Sequence, residues 1–451
     1  MNKKIGIWGL GIVGKSAIEY FYHKNCTLEV LDQRIPSAQE YEFLKAYNAT
    51  FIGQEHLLSF LENNENILPS PGIDLRPYNH FKHKWLAELD LFGKECITPI
   101  IAITGSVGKT TITHLLSQLL QANGKKVFTG GNIGKGLLDS IACANQADYV
   151  ILEVSSFQLE HCTSFAPYFA ICTNIHANHL DRHGTLDNYK NAKLRMFAHQ
   201  KIGDQALVPL ELYNDISQKI KDRHPFHFFS NSVSSNANFS LYDFHNFYFL
   251  HNQNLMMNYQ TSSLPIVDFS DAFSITYQEN LIILAAALHI LGILQERFTE
   301  ILRNQILPQH RLEKIATIDG IDFYNDSKAT IPQATLAAVK KIKDRPIILL
   351  LGGVSKGVDR SDLIYQLINH VRFIVCFGKE APQLKHCCDT YKIPALSVET
   401  LDQAFKELPY IMKSPDQILF SPAGASFDLF TDYQARGHYF KTLVSQLKSN
   451  S

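Results

Sequence analysis

Two glycine-rich turns, each caught between a short apolar strand and a helical stretch, constrain this chain more than any other feature. The first is Gly9-Leu10-Gly11-Ile12-Val13-Gly14, directly after the run Ile5 to Trp8 and before a helical pattern from Ser16 to Tyr22. The second is Thr104-Gly105-Ser106-Val107-Gly108-Lys109-Thr110-Thr111, which follows Ile100 to Thr104 and leads into a helix from Thr110 to Ala122. Strand–turn–helix units of this kind build parallel sheets, with backbone N–H groups of the turn and helix N-terminus facing phosphate. The expected fold class is therefore α/β.

The two turns differ in chemistry. In the first, glycines let the backbone approach a pyrophosphate, and Asp32, 18 residues after Gly14, ends the next strand where an acid can take a ribose hydroxyl. The alternative is a tight βα turn without a ligand. In the second, Lys109 would hold a triphosphate and the Thr110 hydroxyl would reach Mg2+. The strict P-loop pattern wants a glycine five residues before Gly108, where this chain has Ile103. A nicotinamide dehydrogenase would use the first turn and leave Lys109 idle. An ATP-dependent enzyme with a nucleotide-bearing substrate uses both, and is the better account.

A chain of 451 residues favours about three domains at roughly 100–200 residues each. Apolar runs alternate with helical patterns up to residue 88, again from Ile100, and again from Leu307-Pro308. The expected domains are thus 1–88, 89–306 and 307–451. Between Phe226 and Tyr259 aromatic and polar residues mix closely, as in Phe239-Ser240-Leu241-Tyr242, and read as a small antiparallel β layer with one wet face. Lys plus Arg is 42 and Asp plus Glu is 43, a balance that excludes a nucleic acid as main partner. The apolar stretch Ile282 to Leu294 is too short to cross a bilayer. The opening MNKKIGIWGLG offers no small-residue cleavage site, and eight cysteines without a CxxC pair suit a reducing compartment. Together these point to a cytoplasmic enzyme or binding protein. Monomer is the default expectation, since no coiled-coil pattern appears.

Further candidates follow the second turn. Glu153 ends the strand Tyr149 to Leu152, where an acid faces the phosphates and can hold Mg2+; the bland account is an acid satisfied by Ser155 and Ser156. His176, His179 and His183 fall within eight residues, but an ATP site prefers hard oxygen ligands, so at most one should touch Mg2+. Lys193, taken by itself, reads as a solvated helix lysine.

The ordered set formed by the second turn, Gly130-Gly131-Asn132-Ile133-Gly134, the segment Glu153 to Glu160 (EVSSFQLE), His179-Leu180-Asp181-Arg182-His183, Asn325 to Thr330 (NDSKAT), Leu351-Gly352-Gly353 with Lys356-Gly357, and Leu419 to Phe430 resembles the Mur ligases across essentially the whole chain. SSFQLE and NDSKAT resemble the D-glutamate-adding members in particular. The resemblance implies a Rossmann-like N-terminal domain for a uridine nucleotide, a central P-loop ATPase-type domain and a Rossmann-like C-terminal domain for the incoming amino acid. It implies ATP-dependent addition of D-glutamate to UDP-N-acetylmuramoyl-L-alanine through an acyl phosphate, in peptidoglycan precursor synthesis.

By the same resemblance Lys109, Glu153, His179 and Lys193 are catalytic, and Thr110, Glu153, His179 and a carbamylated Lys193 hold two Mg2+ ions. ATP falls to Gly105, Ser106, Val107, Gly108, Lys109, Thr110, Thr111, Asn280, Arg311 and Asp326. The uridine substrate falls to Ile12, Val13, Asp32, Gln33, Arg34, Ser70, Pro71, Gly72 and Asn132. D-Glutamate falls to Lys328, Thr330, Lys356, Ser426, Phe427 and Tyr433. A lysine and hydroxyls suit its second carboxylate.

The chain departs from the family pattern at Val13, where a hydroxyl residue is frequent, and at Val107, where Asn is usual. Glu279 stands where His is usual, Ile283 at a frequent Asn, and Tyr433 at a Phe. Two competing readings remain: a sister ligase for another amino acid, and a non-catalytic or NAD-dependent nucleotide-binding protein.

Overall fold

The computed structural model describes residues 3–132, 134–216, 226–231, 247–259, 262–269, 277–293, 298–304 and 308–450. These gather into two compact units: residues up to 175 together with 187–305, and residues 176–186 together with 306–451. The first unit holds two sheets and the second holds one.

The N-terminal sheet contains β1 (Lys4–Trp8), β2 (Thr27–Asp32), β3 (Ala49–Gly53) and β4 (Asn66–Pro69), all parallel in the order β3-β2-β1-β4. The central sheet contains β5 (Ile100–Thr104), β6 (Val127–Gly131), β7 (Tyr149–Glu153), β8 (Phe169–Cys172), β9 (Gln205–Pro209), β10 (Phe226–Ser230), β11 (Phe247–His251), β12 (Asn254–Tyr259) and β13 (Ser262–Asp268). Its order is β13-β12-β11-β10-β9-β8-β5-β7-β6. The C-terminal sheet contains β14 (Glu313–Ile318), β15 (Ile321–Asn325), β16 (Ile347–Gly352), β17 (Phe373–Phe377), β18 (Ala395–Val398) and β19 (Gln417–Phe420). It runs β14-β15-β19-β16-β17-β18, with only β14 antiparallel to its neighbour.

Strands covered by helices on both faces need unbroken apolar runs, and the sequence supplies them at Ile100-Ile101-Ala102-Ile103, Val150-Ile151-Leu152 and Ile347 to Leu351, all buried. The helix Gln278–Ile290 is apolar on every side and is buried from Asn280 to Leu288, which suits a helix inside a core.

The antiparallel strands expected between Phe226 and Tyr259 are β11 and β12; β13, beyond that stretch, continues the antiparallel pairing, and all three extend the central sheet itself. β10 departs from that expectation: it pairs parallel with both β9 and β11. Its Phe226, Phe228 and Phe229 are all buried, so it has no wet face. The segment 239–242 and the expected boundary at 306 lie outside the described residues.

Inside the first unit the N-terminal and central sheets are tied by direct contacts. The Ser16 hydroxyl donates to the Asp139 carboxylate at 3.0 Å and accepts from the Asp139 amide at 3.0 Å. A side chain at Gly136 would collide with Ser16. Buried Glu88 accepts the Leu137 amide at 3.1 Å, and burial raises its carboxyl to about 7.

Candidate active site

At the first glycine turn, Gly9 takes φ +102°, a conformation that favours glycine. Any side chain at Gly14 would collide with the Gly9 carbonyl, whereas Gly11 faces open space. The helix Ile12–Tyr22 that follows has neither a side-chain cap nor an acid in its first turn, so its amides are left for an anion. Asp32 already has work here: it accepts the Leu10 amide at 2.6 Å and the Arg34 amide at 2.9 Å. It therefore organises the turn, with lone pairs to spare for a ligand.

Arg34 is held bidentately by Glu40 at 2.7 and 2.9 Å, and Lys15 reaches the same carboxylate at 3.0 Å. Those hydrogen bonds, Arg34's first, hold Glu40 well below the usual carboxylate range. Ile12 and Gln33 are exposed, Val13 and Pro71 are half-buried, Gly72 faces open space, and the Ser70 amide donates to Trp8 at 2.8 Å. Lys15 and Glu40 were not anticipated from sequence; a lysine directly after the last glycine was the available signal.

The second turn is pinned from β8. The Val107 amide donates to the Asn174 side chain at 2.9 Å, the Thr173 hydroxyl donates to the Val107 carbonyl at 2.5 Å, and the Ser106 amide to the Asn174 carbonyl at 3.0 Å. The loop's shape thus comes from its backbone, which is why a valine serves at 107. Gly108 takes φ +89° and starts the helix Lys109–Ala122. Its open face lies against Asn280, which is buried within the first unit. Glu279 also hydrogen-bonds Asn174, and burial raises its carboxyl to about 7. Ile283 is fully buried in the core.

Three functional groups then converge. The Thr110 hydroxyl donates to Glu153 Oε2 at 2.6 Å, and the Asn132 amide group donates to Glu153 Oε1 at 3.2 Å. Glu153 is itself buried. A threonine hydroxyl and a carboxylate at this spacing are hard oxygens that suit Mg2+.

Lys193 is only 2% exposed, which corrects the reading of it as a solvated lysine. Its Nζ donates to the Gly105 carbonyl at 3.0 Å and lies 3.4 Å from the Thr104 hydroxyl, over the Tyr189 ring. Lys109 Nζ donates to the same Gly105 carbonyl at 2.6 Å. Burial, and then the charge of Lys109, push the Lys193 amine well below the ordinary lysine range. Tyr189 completes the group, its hydroxyl 3.1 Å from that of Ser106.

In the second unit, His179 sits at φ +55° before a short helix, Leu180–His183. The neighbouring Asn178 has a buried side-chain oxygen without a hydrogen-bond partner, a hard donor that the sequence reading passed over. Among the described residues no group of three His, Cys, Asp or Glu is assembled that could hold a metal ion.

Asp326 is fully buried, accepts the Leu312 amide at 3.1 Å and the Ser421 hydroxyl at 2.8 Å, and is raised to about 6 by burial. Arg311 has a buried Nε with no partner, as a phosphate-binding guanidinium would. Lys328 Nζ lies 5.0 Å from the Tyr433 ring centre, Ser426 is buried, and Thr330 and Lys356 are half-buried. Phe427 is exposed and lines a cavity of about 1180 Å³ with Lys379, Glu399 and Asp428.

Fully buried Arg436 binds these loops together. It donates to the Ser327 carbonyl at 2.8 Å, the Ser327 hydroxyl at 3.1 Å and the Gly424 carbonyl at 3.0 Å. Burial lowers it to about 10.

Residues 3–90 match the Mur ligase MurD-like N-terminal domain, residues 103–269 the Mur ligase middle domain, and residues 310–424 the Mur ligase glutamate ligase domain. The chain is 34% identical to a UDP-N-acetylmuramoylalanine--D-glutamate ligase of Desulfotalea psychrophila, over 98% of this chain and 96% of that one. Among solved structures, MurF from Acinetobacter baumannii superposes with a TM-score of 0.61 at 15% identity, covering 99% and 93% of the two chains. MurF ligase from Thermotoga maritima, in complex with ADP, gives 0.56 at 15% identity, covering 99% and 96%.

Proposed function

The chain belongs to the Mur ligase family, and on that premise we propose that it is the member that joins D-glutamate to UDP-N-acetylmuramoyl-L-alanine at the expense of ATP. The reaction is one step of peptidoglycan precursor synthesis. A carboxylate oxygen of the alanyl group attacks the γ-phosphorus, the bond to ADP breaks, and an acyl phosphate forms. The D-glutamate amine then attacks the acyl carbon, loses a proton and expels phosphate.

The observation that carries this reading is the sharing of Glu153. The hydroxyl of the nucleotide loop, at Thr110, and the amide of Asn132 both end on this one buried carboxylate. In a two-substrate phosphoryl transfer a triphosphate and a carboxylate repel each other unless cations separate them, and a buried carboxylate beside the nucleotide loop is where such a cation would be held. Lys109 neutralises the β- and γ-phosphates within the cradle Gly105–Thr111. Mg2+, two ions in this reading, would supply charge neutralisation and in-line positioning, with Thr110, Glu153, His179 and Lys193 as its holders. Lys193 suits carbamylation, which needs an uncharged amine, since burial and then Lys109 both disfavour its charged form.

The remaining assignments are proposals of the same standing. Asn280, Arg311 and Asp326 serve ATP; the turn Ile12–Val13, Asp32–Arg34, Ser70–Gly72 and Asn132 serve the uridine substrate. Lys328, Thr330, Lys356, Ser426, Phe427 and Tyr433 serve D-glutamate. The functional domains are 1–88, 89–306 and 307–451. The protein acts as a monomer in the cytoplasm, a setting that suits its eight free cysteines. No helix among the described residues is long and apolar enough to cross a membrane.

The test is phosphate release from ATP and Mg2+ with UDP-N-acetylmuramoyl-L-alanine, with and without D-glutamate, using Lys109→Ala as the inactive control. Release that requires both substrates, and that L-glutamate does not support, is the expected result. Equal turnover of the two enantiomers, or release indifferent to the amino acid, overturns the reading.

A further inference from the structure

An ion pair between a buried guanidinium and a half-buried carboxylate stands directly behind the loop after β16. Arg360 is 5% exposed and donates to the Gly352 carbonyl at 2.9 Å and to the Gly353 carbonyl at 3.2 Å. The terminal nitrogen that reaches Gly353 also donates to Glu380 Oε2. The other oxygen of Glu380 accepts the Ser355 amide at 3.0 Å and the Ser355 hydroxyl at 3.3 Å. Between them, one guanidinium and one carboxylate fix the backbone on both sides of Val354. Val354 in turn exchanges backbone hydrogen bonds with Ala425, at 2.9 and 2.8 Å, next to Ser426. The residue that emerges from this clamp is Lys356, held at φ +55°.

A non-glycine residue keeps a left-handed conformation only where its surroundings over-determine it. A buried guanidinium is also a costly way to hold a loop, because its charge loses its water. Hydrophobic side chains would fill the same space, but they could not bind two carbonyls and an amide in fixed directions.

We propose that Arg360 and Glu380 are positioning residues for the incoming amino acid, acting through Lys356. They fix the backbone from which Lys356 reaches the side-chain carboxylate of D-glutamate, and they hold that backbone in register with Ser426. The inference rests on the proposed role of Lys356.

The experiment measures steady-state phosphate release by the full-length enzyme for Arg360→Met and Glu380→Gln, each alone and in a Lys356→Ala background. Loss of one charge-assisted hydrogen-bond set should raise the KM for D-glutamate about 10- to 100-fold. The KM values for ATP and the uridine substrate should stay within about twofold, since uniform loss of folded enzyme leaves KM unchanged. In the Lys356→Ala background the same substitutions should add little to the fall in kcat/KM for D-glutamate. Glu380→Gln keeps the volume and the acceptor for Ser355, so it carries the test if Arg360→Met does not fold. An unchanged KM for D-glutamate, equal rises for all three substrates, or full additivity with Lys356→Ala overturns the inference alone. Wild-type release that ignores D-glutamate overturns the functional reading and this inference with it.

Discussion

Each compact unit buries one cation whose hydrogen bonds, among the described residues, all run to neutral oxygens. In the first unit it is Lys193, facing the Gly105 carbonyl and the Thr104 hydroxyl. In the second it is Arg436, facing Ser327 and Gly424. The hydrogen-bond partners are alike, but the outcomes differ because the side chains differ, and because Lys109 sets a like charge near Lys193 whereas Asp428 favours the charge of Arg436. A lysine in such a place has its charged form disfavoured, which moves it toward a nucleophilic amine. An arginine keeps its charge even when burial lowers it to about 10, and spends its planar array of donors on tying loops together. The first unit thus gains an amine whose charge is disfavoured, and the second gains a brace.

The sharpest way to break this contrast is to exchange the chemistry at Lys193. Lys193→Ala should lower turnover by at least about 10²–10³-fold, and small carboxylates should restore part of it by supplying the missing oxygen ligand. Lys193→Arg should be as inactive, yet should not respond to carboxylates, because the guanidinium fills the space and stays charged. Near-wild-type turnover in the arginine variant would show that charge, and not a neutral amine, is what the position needs.

Arg436→Met tests the other side. It leaves two buried carbonyls without their donor and should cost about 2–4 kcal/mol in denaturant unfolding. Arg436→Lys should recover only part of that, since one ammonium cannot span all three acceptors. A stability loss within error for the methionine variant would mean that the loops hold without the brace.

The smallest expected effect belongs to Glu88, a buried acid raised to about 7 chiefly by desolvation. Its folded form keeps a proton that the unfolded chain releases. The stability it permits is therefore complete below the usual glutamate range and declines as pH rises through about 7. Glu88→Gln should flatten that decline and make the protein more stable at pH 8 by roughly 1–3 kcal/mol. Thermal unfolding across pH 5–8 checks it, and parallel curves for wild type and variant would count against it.

Much of the fold was legible because strands buried on both faces must be continuous apolar runs, as in β5, β7, β16 and β17. β3 and β6 were not, since Ala49–Gly53 and Val127–Gly131 are short and rich in small or polar residues. They also lie at the ends of their sheets, where one side has no partner strand. The phosphate loops were legible from their glycines, whose spacing is set by local backbone needs. Lys193 was not, although a signal existed: Tyr189, Met196 and Phe197 lie at helical spacing from it, so the lysine belongs to the buried face of Leu186–Ala198. Phe440, Leu443 and Val444 place Arg436 on the buried face of its helix in the same way, but nothing in the sequence indicated its partners, nor those of Arg360. Arg436 meets Ser327 across 109 residues, and Arg360 meets Glu380 across 20, distances over which no periodicity carries information.

The fit of Gly136 against Ser16 has a consequence for which molecules can react. Because a side chain at 136 would collide with the helix that follows the first glycine turn, that turn and the second are held at a span fixed by the protein alone. On the proposed function, the first unit would act as a caliper: a substrate anchored by its pyrophosphate at the first turn would present its far end to the second only if its length were right. Such selection by length would precede recognition of the group at that end, and it would be lost in a chain whose residue 136 were large enough to spread the jaws.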